Sequence, residues 1–444
     1  MPAVSSTATL SGRGTVAHHP DRDPFDIVGL GFGPSNLGLA IAVAEHNADV
    51  DRTGDRRIRA AFVESKSEFG WHTGMLLPGT TMQISFLKDL ATQRSATSAF
   101  TFVNYLSEKS RLSEFINHQT FFPTRLEFHD YLRWAADKVE ADVRYSTSVV
   151  SIRDCGDFFE VATADGETPL RARHVVVAGG LVPHLPAGIT ESDRVFHNHR
   201  LLERLEALPE QRHRRFAVVG AGQSAAEVVA HLHETFPDAE VHGIFARYGY
   251  SPADDSPYAN RIFDPAAVDD FYAADEPVRR RLLSYHRSTN YSCVDLPLIE
   301  ELYRREYAER VADDRRLFMR GASDVEAIAA DDAGVDLTVR HGPTRHTDVL
   351  TCDAVVYATG FRPMPLGGLL GDLYDDRHPG APAVTRDYRL VTRRPTSGGI
   401  YLQGGTEHTH GMSSSLLSNI AIRSGEILDS ILRASAGTAA SAAS

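Results

Sequence analysis

Two glycine-rich segments, residues 29–34 (GLGFGP) and 220–225 (GAGQSA), constrain the fold of this chain more than any other feature. Each follows a short apolar run and precedes a run of small apolar residues, a pattern that predicts a strand, a tight turn and a helix. Glycine permits the sharp turn and lets the backbone approach a pyrophosphate, whose charge is stabilised at the N-terminus of the following helix. We term these segments the first and second fingerprints, and we predict that the chain binds two dinucleotides.

The fingerprints provide a first set of candidate binding residues. In the first fingerprint, Pro34 replaces the usual third glycine, and proline suits the first turn of a helix. A second predicted strand ends at Glu64, whose carboxylate can hold the ribose hydroxyls of a dinucleotide. The candidates are Gly29, Gly31, Gly33, Pro34 and Glu64 at the first site, and Gly220, Gly222, Gln223 and Ser224 at the second.

Composition excludes several classes of function. The chain is 42% hydrophobic and 24% charged, as in soluble globular proteins, and its net charge of -13 disfavours a nucleic-acid or anionic-membrane surface. No apolar segment resembles a membrane span or a secretory signal, so we predict a cytoplasmic protein that binds neither nucleic acid nor membrane. The three cysteines lack the spacing of a disulfide framework or a zinc site, and we predict no metal.

Two bound dinucleotides indicate redox chemistry, with FAD at the first site and a nicotinamide nucleotide at the second. A dithiol reductase requires a reactive cysteine pair, which this sequence does not contain. The residues alone leave three alternatives open: oxygen activation for monooxygenation, electron transfer to a partner protein, and a non-catalytic flavin sensor.

The domain organisation follows from strand-like runs at residues 173–180 and 352–360, which return the chain past a bound nucleotide. We predict an α/β fold of two Rossmann-like dinucleotide-binding domains, the NADPH domain inserted in the FAD domain, plus a small helical substrate subdomain. The predicted parts are a disordered lead (1–24), the FAD-binding domain (25–205 and 353–432), the NADPH-binding domain (206–255 and 320–352), the helical substrate-binding subdomain (256–319) and a disordered tail (433–444).

Several blocks of sequence resemble one known family. In chain order they are residues 71–76 (WHTGML), 82–92 (MQISFLKDLAT), 121–125 (FFPTR), 254–260 (DDSPYAN), 290–292 (NYS) and 404–418 (GGTEHTHGMSSSLLS). Over about residues 25 to 430 the chain resembles the microbial N-hydroxylating flavin monooxygenases, and within them most closely the L-ornithine N5-monooxygenases of hydroxamate siderophore biosynthesis. The resemblance implies FAD and NADPH as cofactors, O2 as co-substrate, L-ornithine as substrate and a homotetramer.

Four residues are candidates for contacts with the flavin. Trp71 and His72 follow Glu64 where the chain should pass the flavin, although a buried aromatic residue and a structural histidine would give the same pattern. The resemblance places Met82 and Gln83 against the isoalloxazine ring, and a polarisable methionine suits such a contact. Packing within a strand is the alternative for this pair.

The assignment of the substrate-binding residues depends mainly on the resemblance to this family. Lys88 interrupts an apolar run, where an unpaired ammonium is costly to bury, so it requires an anion, exposure to solvent, or a pair with Asp89. The resemblance supplies the α-carboxylate of the amino-acid substrate. It also implies that Asn260 and Asn290 hold the α-amino and carboxylate end, and that Ser415 contacts the side-chain amine.

The phosphate that distinguishes NADPH from NADH requires a cation near the end of the strand after the helix of the second fingerprint. We predict Arg247, although relatives carry their arginine one position earlier, where this chain has Ala246. Asn290 and Thr359 complete the predicted NADPH contacts.

The resemblance implies that NADPH reduces FAD, that oxygen adds to give a C4a-hydroperoxyflavin, and that the substrate amine attacks the distal oxygen. We therefore predict N5-hydroxylation of L-ornithine. An N-hydroxylase of lysine or a diamine is an alternative, because one methylene contributes only about 1–3 kcal/mol in an apolar pocket. A non-catalytic flavin sensor or electron-transfer protein is the alternative from another class.

Overall fold

A computed structural model describes residues 23–209, 213–331, 333–375, 377 and 381–442. Residues 1–22 of the predicted disordered lead (1–24) therefore lie outside the described residues. The strands are β1 (Phe25–Leu30), β2 (Ala60–Val63), β3 (Asp142–Arg144), β4 (Val149–Asp154), β5 (Phe159–Thr163), β6 (Leu170–Val177), β7 (Leu181–Pro183), β8 (Val195–His197), β9 (Arg215–Val219), β10 (Glu240–Ile244), β11 (Leu317–Arg320), β12 (Ser323–Ala330), β13 (Val335–His341), β14 (Thr347–Cys352), β15 (Ala354–Tyr357), β16 (Phe361–Pro363) and β17 (Ile400–Leu402).

The α-helices account for much of the remaining described chain, with short 3-10 turns between some of them. They are α1 (Pro34–Thr53), α2 (Phe102–Glu108), α3 (Leu112–His118), α4 (Arg125–Lys138), α5 (Leu201–Glu206), α6 (Gln223–Thr235), α7 (Pro265–Ala273), α8 (Glu276–Tyr285), α9 (Arg287–Asn290), α10 (Leu296–Ala312), α11 (Gly367–Leu370), α12 (Glu407–His410) and α13 (Ile420–Ala442). None of the helices in the described ranges combines the length and the apolar character that crossing a membrane requires.

The first sheet is built around β1, which leads into the first fingerprint. Its strand order is β3-β2-β1-β6-β5-β4, with β17 also paired to β6, and β1 is parallel to both of its neighbours. Ile27 and Val28 are fully buried on opposite faces of β1 and belong to different apolar clusters, which explains why this strand is apolar throughout its centre. Gly29 lies against the ring of Phe62 on β2, where a Cβ atom would be 2.4 Å from the nearest ring carbon.

The second sheet is built around β9, which leads into the second fingerprint. Its five strands run parallel in the order β11-β10-β9-β15-β8, and α6 connects β9 to β10 as in a Rossmann unit. The chain leaves the first sheet after β6 and returns to it at β17. The predicted α/β architecture, with one dinucleotide-type domain inserted in another, is confirmed.

The domain boundaries differ from those predicted. Both β8 and β15 pair in the second sheet, so this domain extends beyond residues 206–255 and 320–352 at each side. Helix α10 packs on α6 and β11, so it is the crossover helix of the second sheet and not part of a separate helical subdomain spanning 256–319. Amphipathic spacing identifies a helix but not the sheet against which it packs, so the prediction assigned α10 to the wrong domain.

The C-terminal segment also differs from the prediction. Helix α13 continues to Ala442, through most of the predicted disordered tail at 433–444. Alanine has the highest helix propensity, so a run of alanine and serine extends a helix whose first turns are already anchored by packing on α1. Ala443 and Ser444 lie outside the described residues.

Candidate active site

The first fingerprint forms the turn between β1 and α1. Gly31 has a φ of +80°, and a Cβ atom there would lie 2.5 Å from the carbonyl oxygen of Ala178, so only glycine is accommodated. A Cβ atom at Gly33 would meet nothing within 4 Å, so the N-terminus of α1 faces open space. Pro34 occupies the first turn of this helix, where its missing N–H is tolerated. The turn fits the approach of a pyrophosphate to the helix N-terminus.

Glu64 lies beside this turn, directly after β2. Its side chain is buried, and its carboxylate accepts hydrogen bonds from the backbone N–H groups of Phe32 (2.8 Å) and Lys66 (2.9 Å). The hydroxyl of Ser65 also donates to Oε1 (3.2 Å), so these bonds fix the carboxylate at the mouth of the first fingerprint, and Oε2 retains a free lone pair. The position therefore fits a contact with the ribose of a dinucleotide.

The second fingerprint has the same construction. A Cβ atom at Gly220 would lie 2.3 Å from the carbonyl oxygen of Ala358 on the neighbouring strand, so the close approach requires glycine. Gly222 caps α6 and faces Ser292, whose Cα is 3.7 Å from a Cβ atom built on that glycine. Ser224 lies in the first turn of α6 and is partly exposed. The segment that contains Ser292 therefore crosses the mouth of the second nucleotide site.

Asp295 joins the two nucleotide sites. Gln83, predicted at the flavin, donates a hydrogen bond from Nε2 to Oδ1 of Asp295 (3.1 Å). Gln223, in the second fingerprint, donates from Nε2 to Oδ2 of the same carboxylate (3.2 Å) and accepts from its backbone N–H (2.8 Å). Burial raises the pKa of Asp295, and the bond from Gln83 opposes this effect. The structure thus brings together residues that lie far apart in the sequence and were assigned to different nucleotides.

A buried ion pair lies next to this carboxylate. Arg125, at the start of α4, forms two hydrogen bonds of 2.7 Å with the carboxylate of Glu227 on α6. The Glu227 side chain is only 3% exposed, and burial raises its pKa while Arg125 acts in the opposite direction. The sequence analysis missed Asp295 and Glu227 as site residues. Glu227 did carry a signal, because it is a charge between apolar residues on both sides and so requires a partner.

Arg247 lies over the second fingerprint. Its Nη1 donates to the carbonyl oxygen of Ser292 (2.8 Å) and to Oγ of Ser251 (3.4 Å), and the residue is exposed. Its guanidinium keeps further donors for an anion. Thr359 follows β15, and its hydroxyl donates to the carbonyl oxygen of His184, so only its acceptor lone pairs remain for a nucleotide.

Trp71 and His72 form part of the wall between the domains. Their rings make a perpendicular contact at 4.7 Å, and His72 also faces the ring of Phe361 at 6.4 Å. Burial lowers the pKa of His72 to about 4, with Arg125 and Lys66 adding to the shift, so the imidazole is neutral at pH 7. Met82 is buried, 6% exposed, in the apolar core of the first domain.

Lys88 has no ion-pair partner among the residues that the structure describes. Its ammonium lies 6.0 Å from the centroid of the Phe263 ring, and burial lowers its pKa while Asp264 partly opposes the effect. The carboxylate of Asp89 instead accepts bonds from backbone N–H groups, among them that of Phe102 at 2.7 Å. The pair between Lys88 and Asp89 that the sequence left open is therefore not formed.

The other predicted substrate residues surround one apolar cluster next to Lys88. Asn260 donates to a backbone carbonyl at 2.7 Å, Asn290 bonds the Tyr291 side chain, and Ser415 accepts from a backbone N–H at 3.2 Å. All three lie within a few positions of cluster members in the sequence, so residues as far apart as Asn260 and Ser415 converge here. The cluster consists of Ile262, Phe263, Phe271 and Met412, with Leu282, Leu283, Tyr291 and Leu416 packed against it.

Several buried polar atoms between residues 406 and 424 have no hydrogen-bond partner in the described structure. A buried polar atom without a partner costs about 1–3 kcal/mol, so this segment fits a ligand that carries both donors and acceptors, as the flavin ring and an amino acid do. The atoms are Thr406 Oγ1, Ser414 Oγ, Ser418 Oγ, both side-chain amide atoms of Asn419, and Ser424 Oγ.

Two dinucleotide-type domains whose sites meet at Asp295 define the class: an oxidoreductase fold of the flavin- and nicotinamide-binding type. The sequence matches the model of the L-lysine 6-monooxygenase/L-ornithine 5-monooxygenase family over residues 23–363. The chain belongs to this family.

Comparisons with individual proteins agree. An L-ornithine N(5)-monooxygenase of Burkholderia cepacia is 42% identical over 406 residues, covering 87% of this chain and 90% of that protein. The ornithine N-hydroxylase KtzI of Kutzneria sp. 744, solved with reduced FAD, NADP+ and L-ornithine, is 44% identical with a TM-score of 0.86, covering 93% of this chain and 99% of that one. The ornithine hydroxylase PvdA of Pseudomonas aeruginosa is 36% identical with a TM-score of 0.85, covering 93% and 100%. The predicted family is confirmed.

Proposed function

We propose that this protein hydroxylates the side-chain amine of L-ornithine at N5, using FAD, NADPH and O2. The product, N5-hydroxyornithine, would supply the biosynthesis of a hydroxamate siderophore or a related natural product. The relatives named above support the substrate, since each is described as acting on ornithine.

The position of Lys88 carries the proposal. Its half-buried ammonium has no carboxylate partner among the described residues, and it lies on the apolar cluster, five positions after Gln83. A cation in this setting binds the α-carboxylate of an amino acid, which a simple diamine lacks. Because Gln83 contacts Asp295, the carboxylate end of the substrate is anchored close to the meeting point of the nucleotide sites.

The apolar cluster explains how the amine becomes reactive. A side-chain amine has a pKa near that of lysine, about 10.4, and only its neutral form has a lone pair. A neutral amine near pH 7.5 requires a shift of about 3 pKa units, or roughly 4 kcal/mol. Phe263 and Met412 remove water from the amine's surroundings, and desolvation lowers the pKa of an amine. Asn260, Asn290 and Ser415 then orient the two ends of the substrate.

The nucleotide sites complete the proposal. We assign FAD to the first fingerprint with Glu64, Trp71, His72, Met82 and Gln83, and NADPH to the second with Arg247, Asn290 and Thr359. FAD reduced by NADPH would supply the oxygen-transfer chemistry when bound. The apolar cluster keeps water away from the region between the sites, which protects a reactive oxidant.

The deciding measurement is hydroxylated product formed per NADPH consumed by FAD-loaded protein with L-ornithine, L-lysine, putrescine or no addition. We expect close to one product per NADPH with ornithine alone. Coupling with lysine or putrescine would reassign the substrate. Peroxide without hydroxylamine in all four reactions would indicate a flavin sensor or electron-transfer protein and refute the proposal.

We also propose a homotetramer located in the cytoplasm. Helix α10 supports self-association, because Tyr303, Tyr307 and Val311 form an apolar stripe on one face and are 60–70% exposed. A two-fold axis near Tyr307 would pair this stripe with itself, with Tyr303 of one copy opposite Val311 of the other. Light scattering after size-exclusion chromatography tests the assembly, and a monomer at micromolar concentration would contradict it.

A further inference from the structure

Arg423, in the first turn of α13, is the largest fully buried side chain of the described residues, at 1% exposure. It forms no ion pair with any residue that the structure describes, and its guanidinium contacts only uncharged acceptors. These are the carbonyl oxygens of Ser414 (2.6 Å) and Ser413 (3.5 Å), Oε1 of Gln403 (3.4 Å) and Oγ of Ser35 (3.4 Å). Burying a cation without a counter-charge is costly, so its retention requires an explanation.

The contacts of Arg423 connect the two ends of the active site. Ser35 is the second residue of α1 and lies next to the open end of the first fingerprint. Ser413 and Ser414 belong to the turn Met412–Ser415, which we term the serine turn and which contains the proposed substrate residue Ser415. Gln403 reinforces the link, because its Nε2 donates to the backbone carbonyl of Ser35 at 3.1 Å.

Besides Arg423, the serine turn is held by the bond from the Gly405 N–H to Ser415 Oγ and by the burial of Met412 in the apolar cluster, and its other polar side chains contribute little. The hydroxyl groups of Ser414 and Ser418 are buried without a partner, as are both amide atoms of Asn419, so these polar groups do not hold the turn in place. An apolar side chain in place of Arg423 would fill the space at no electrostatic cost, and buried ionic groups are often less stabilising than their apolar replacements. What an apolar residue could not do is bind two successive carbonyls of the serine turn and a residue of α1 at the same time.

We propose that Arg423 is a positioning residue that fixes the serine turn, and with it the substrate amine, at a constant distance from the first nucleotide site. This inference rests on the proposed function. Oxygen transfer depends on near-contact geometry, and a displacement of about 1 Å can reduce the rate roughly 100-fold. A displaced amine would leave the oxidant without an acceptor, and the oxidising equivalents of O2 would be released as peroxide.

The test is the variant Arg423→Lys, purified with FAD and assayed with ornithine. Lysine keeps the charge but is a point donor that cannot reproduce the planar fork of arginine. We expect flavin content, melting temperature and NADPH oxidation close to those of the wild type, and hydroxylated product per NADPH lower by about fivefold or more, with peroxide in its place. Arg433→Lys, an exposed position on the same helix, is the matched control and should behave as wild type.

A second variant, Gln403→Met, removes one acceptor of Arg423 and the link to Ser35 while leaving the charge in place. It should show the same uncoupling in a weaker form, and it provides the test if Arg423→Lys does not fold. Wild-type coupling in both variants would overturn this inference alone. Loss of flavin in parallel with coupling would also overturn it, since the role would then be flavin retention. Wild-type protein that forms no hydroxylated product would overturn the proposed function.

Discussion

Two cations of the candidate site, Lys88 and Arg247, lack a carboxylate partner within the described ranges. Lys88 lies on an apolar cluster, whereas Arg247 is exposed and bonds a backbone carbonyl and a hydroxyl. A cation that its own protein leaves uncompensated is ready for an anionic ligand. Their settings suit different anions: a half-buried position suits one carboxylate, and an exposed fork of donors suits a phosphate.

Replacing Lys88 with alanine should raise the KM for ornithine at least about tenfold, because a charge-assisted hydrogen bond contributes about 1.5–3 kcal/mol. Flavin content, read from the visible spectrum, should not change. Steady-state hydroxylation assays provide the measurement, with Lys88→Arg as the charge-preserving control. An unchanged ornithine dependence in the alanine variant would exclude a role for Lys88 in carboxylate binding.

Replacing Arg247 with alanine should raise the KM for NADPH by about tenfold or more and leave that for NADH nearly unchanged, since only NADPH carries the additional phosphate. The KM for NADH, measured on the same variant, is the control for a general loss of nucleotide binding. Equal losses with NADPH and NADH would show that Arg247 acts only by holding the segment around Ser292.

The sequence identified single charged residues of the site, but it did not identify the residues with which they pair. Lys88 was identified because it interrupts an apolar run, and the same argument applies to Glu227. The partner of Glu227 is Arg125, 102 positions away, and neither local spacing nor propensity specifies such a contact. Asp295 gave no signal at all, because an aspartate before a helix is an ordinary N-terminal residue.

At the scale of elements, the N-terminus of α4 in the first domain and the first turns of α6 in the second are joined by Arg125 and Glu227. Both side chains are mostly buried, at 15% and 3% exposure, and the two bonds are parallel. Removing one partner of such a pair leaves a buried charge without compensation. The pair therefore ties the domains together more strongly than a surface ion pair would.

The variant Glu227→Gln should lower the free energy of unfolding by about 3–5 kcal/mol, because it removes the carboxylate and leaves Arg125 buried. Urea unfolding of FAD-loaded protein gives the measurement. Glu276→Gln is the matched control: Glu276 pairs with Arg280 at 3.6 Å with both side chains 72% exposed, so the loss should stay below about 1 kcal/mol. Similar small losses in both variants would show that the buried pair adds nothing beyond a surface pair.

Elements with strong local signals were predictable, and their assignment to sheets was not. Both fingerprints gave the strand, turn and helix that the glycines require, and the order of the two domains followed from them. The short strands β8 and β15 pair in the second sheet through contacts between residues about 160 positions apart, which no local pattern encodes. The end of α13 was predicted to be disordered because the segment lacks an apolar face, although its alanines have a high helix propensity.

At the scale of the whole molecule, five histidines with a pKa lowered to about 4 make the folded state less stable at acidic pH. Burial is the largest cause in each, so the folded state holds neutral imidazoles. The unfolded chain takes up protons near pH 6.5, and the folded chain does so only near pH 4. The stability contributed by these groups is complete above pH 6.5 and is lost as the pH falls towards 4. The residues are His72, His174, His197, His242 and His410.

The melting temperature should therefore fall by at least about 5 °C between pH 7 and pH 4.5, as expected when several kcal/mol are lost from a protein of this size. Thermal unfolding followed by circular dichroism at constant ionic strength gives the measurement. A melting temperature that stays constant over this range would mean that these imidazoles are accessible to protons in the folded state.

The pairing of β8 with β15, and of β15 with β9, decides how this protein can be recombined with its relatives. A chimera cut at residues 206 and 352 would leave both strands in the recipient, where β15 would have to pair with a foreign β9. Cuts placed before Val195 and after Tyr357 transfer all five parallel strands as one unit. The exchanged unit then contains Asp295 but not Gln83, so a functional graft has to preserve that hydrogen bond across the new junction.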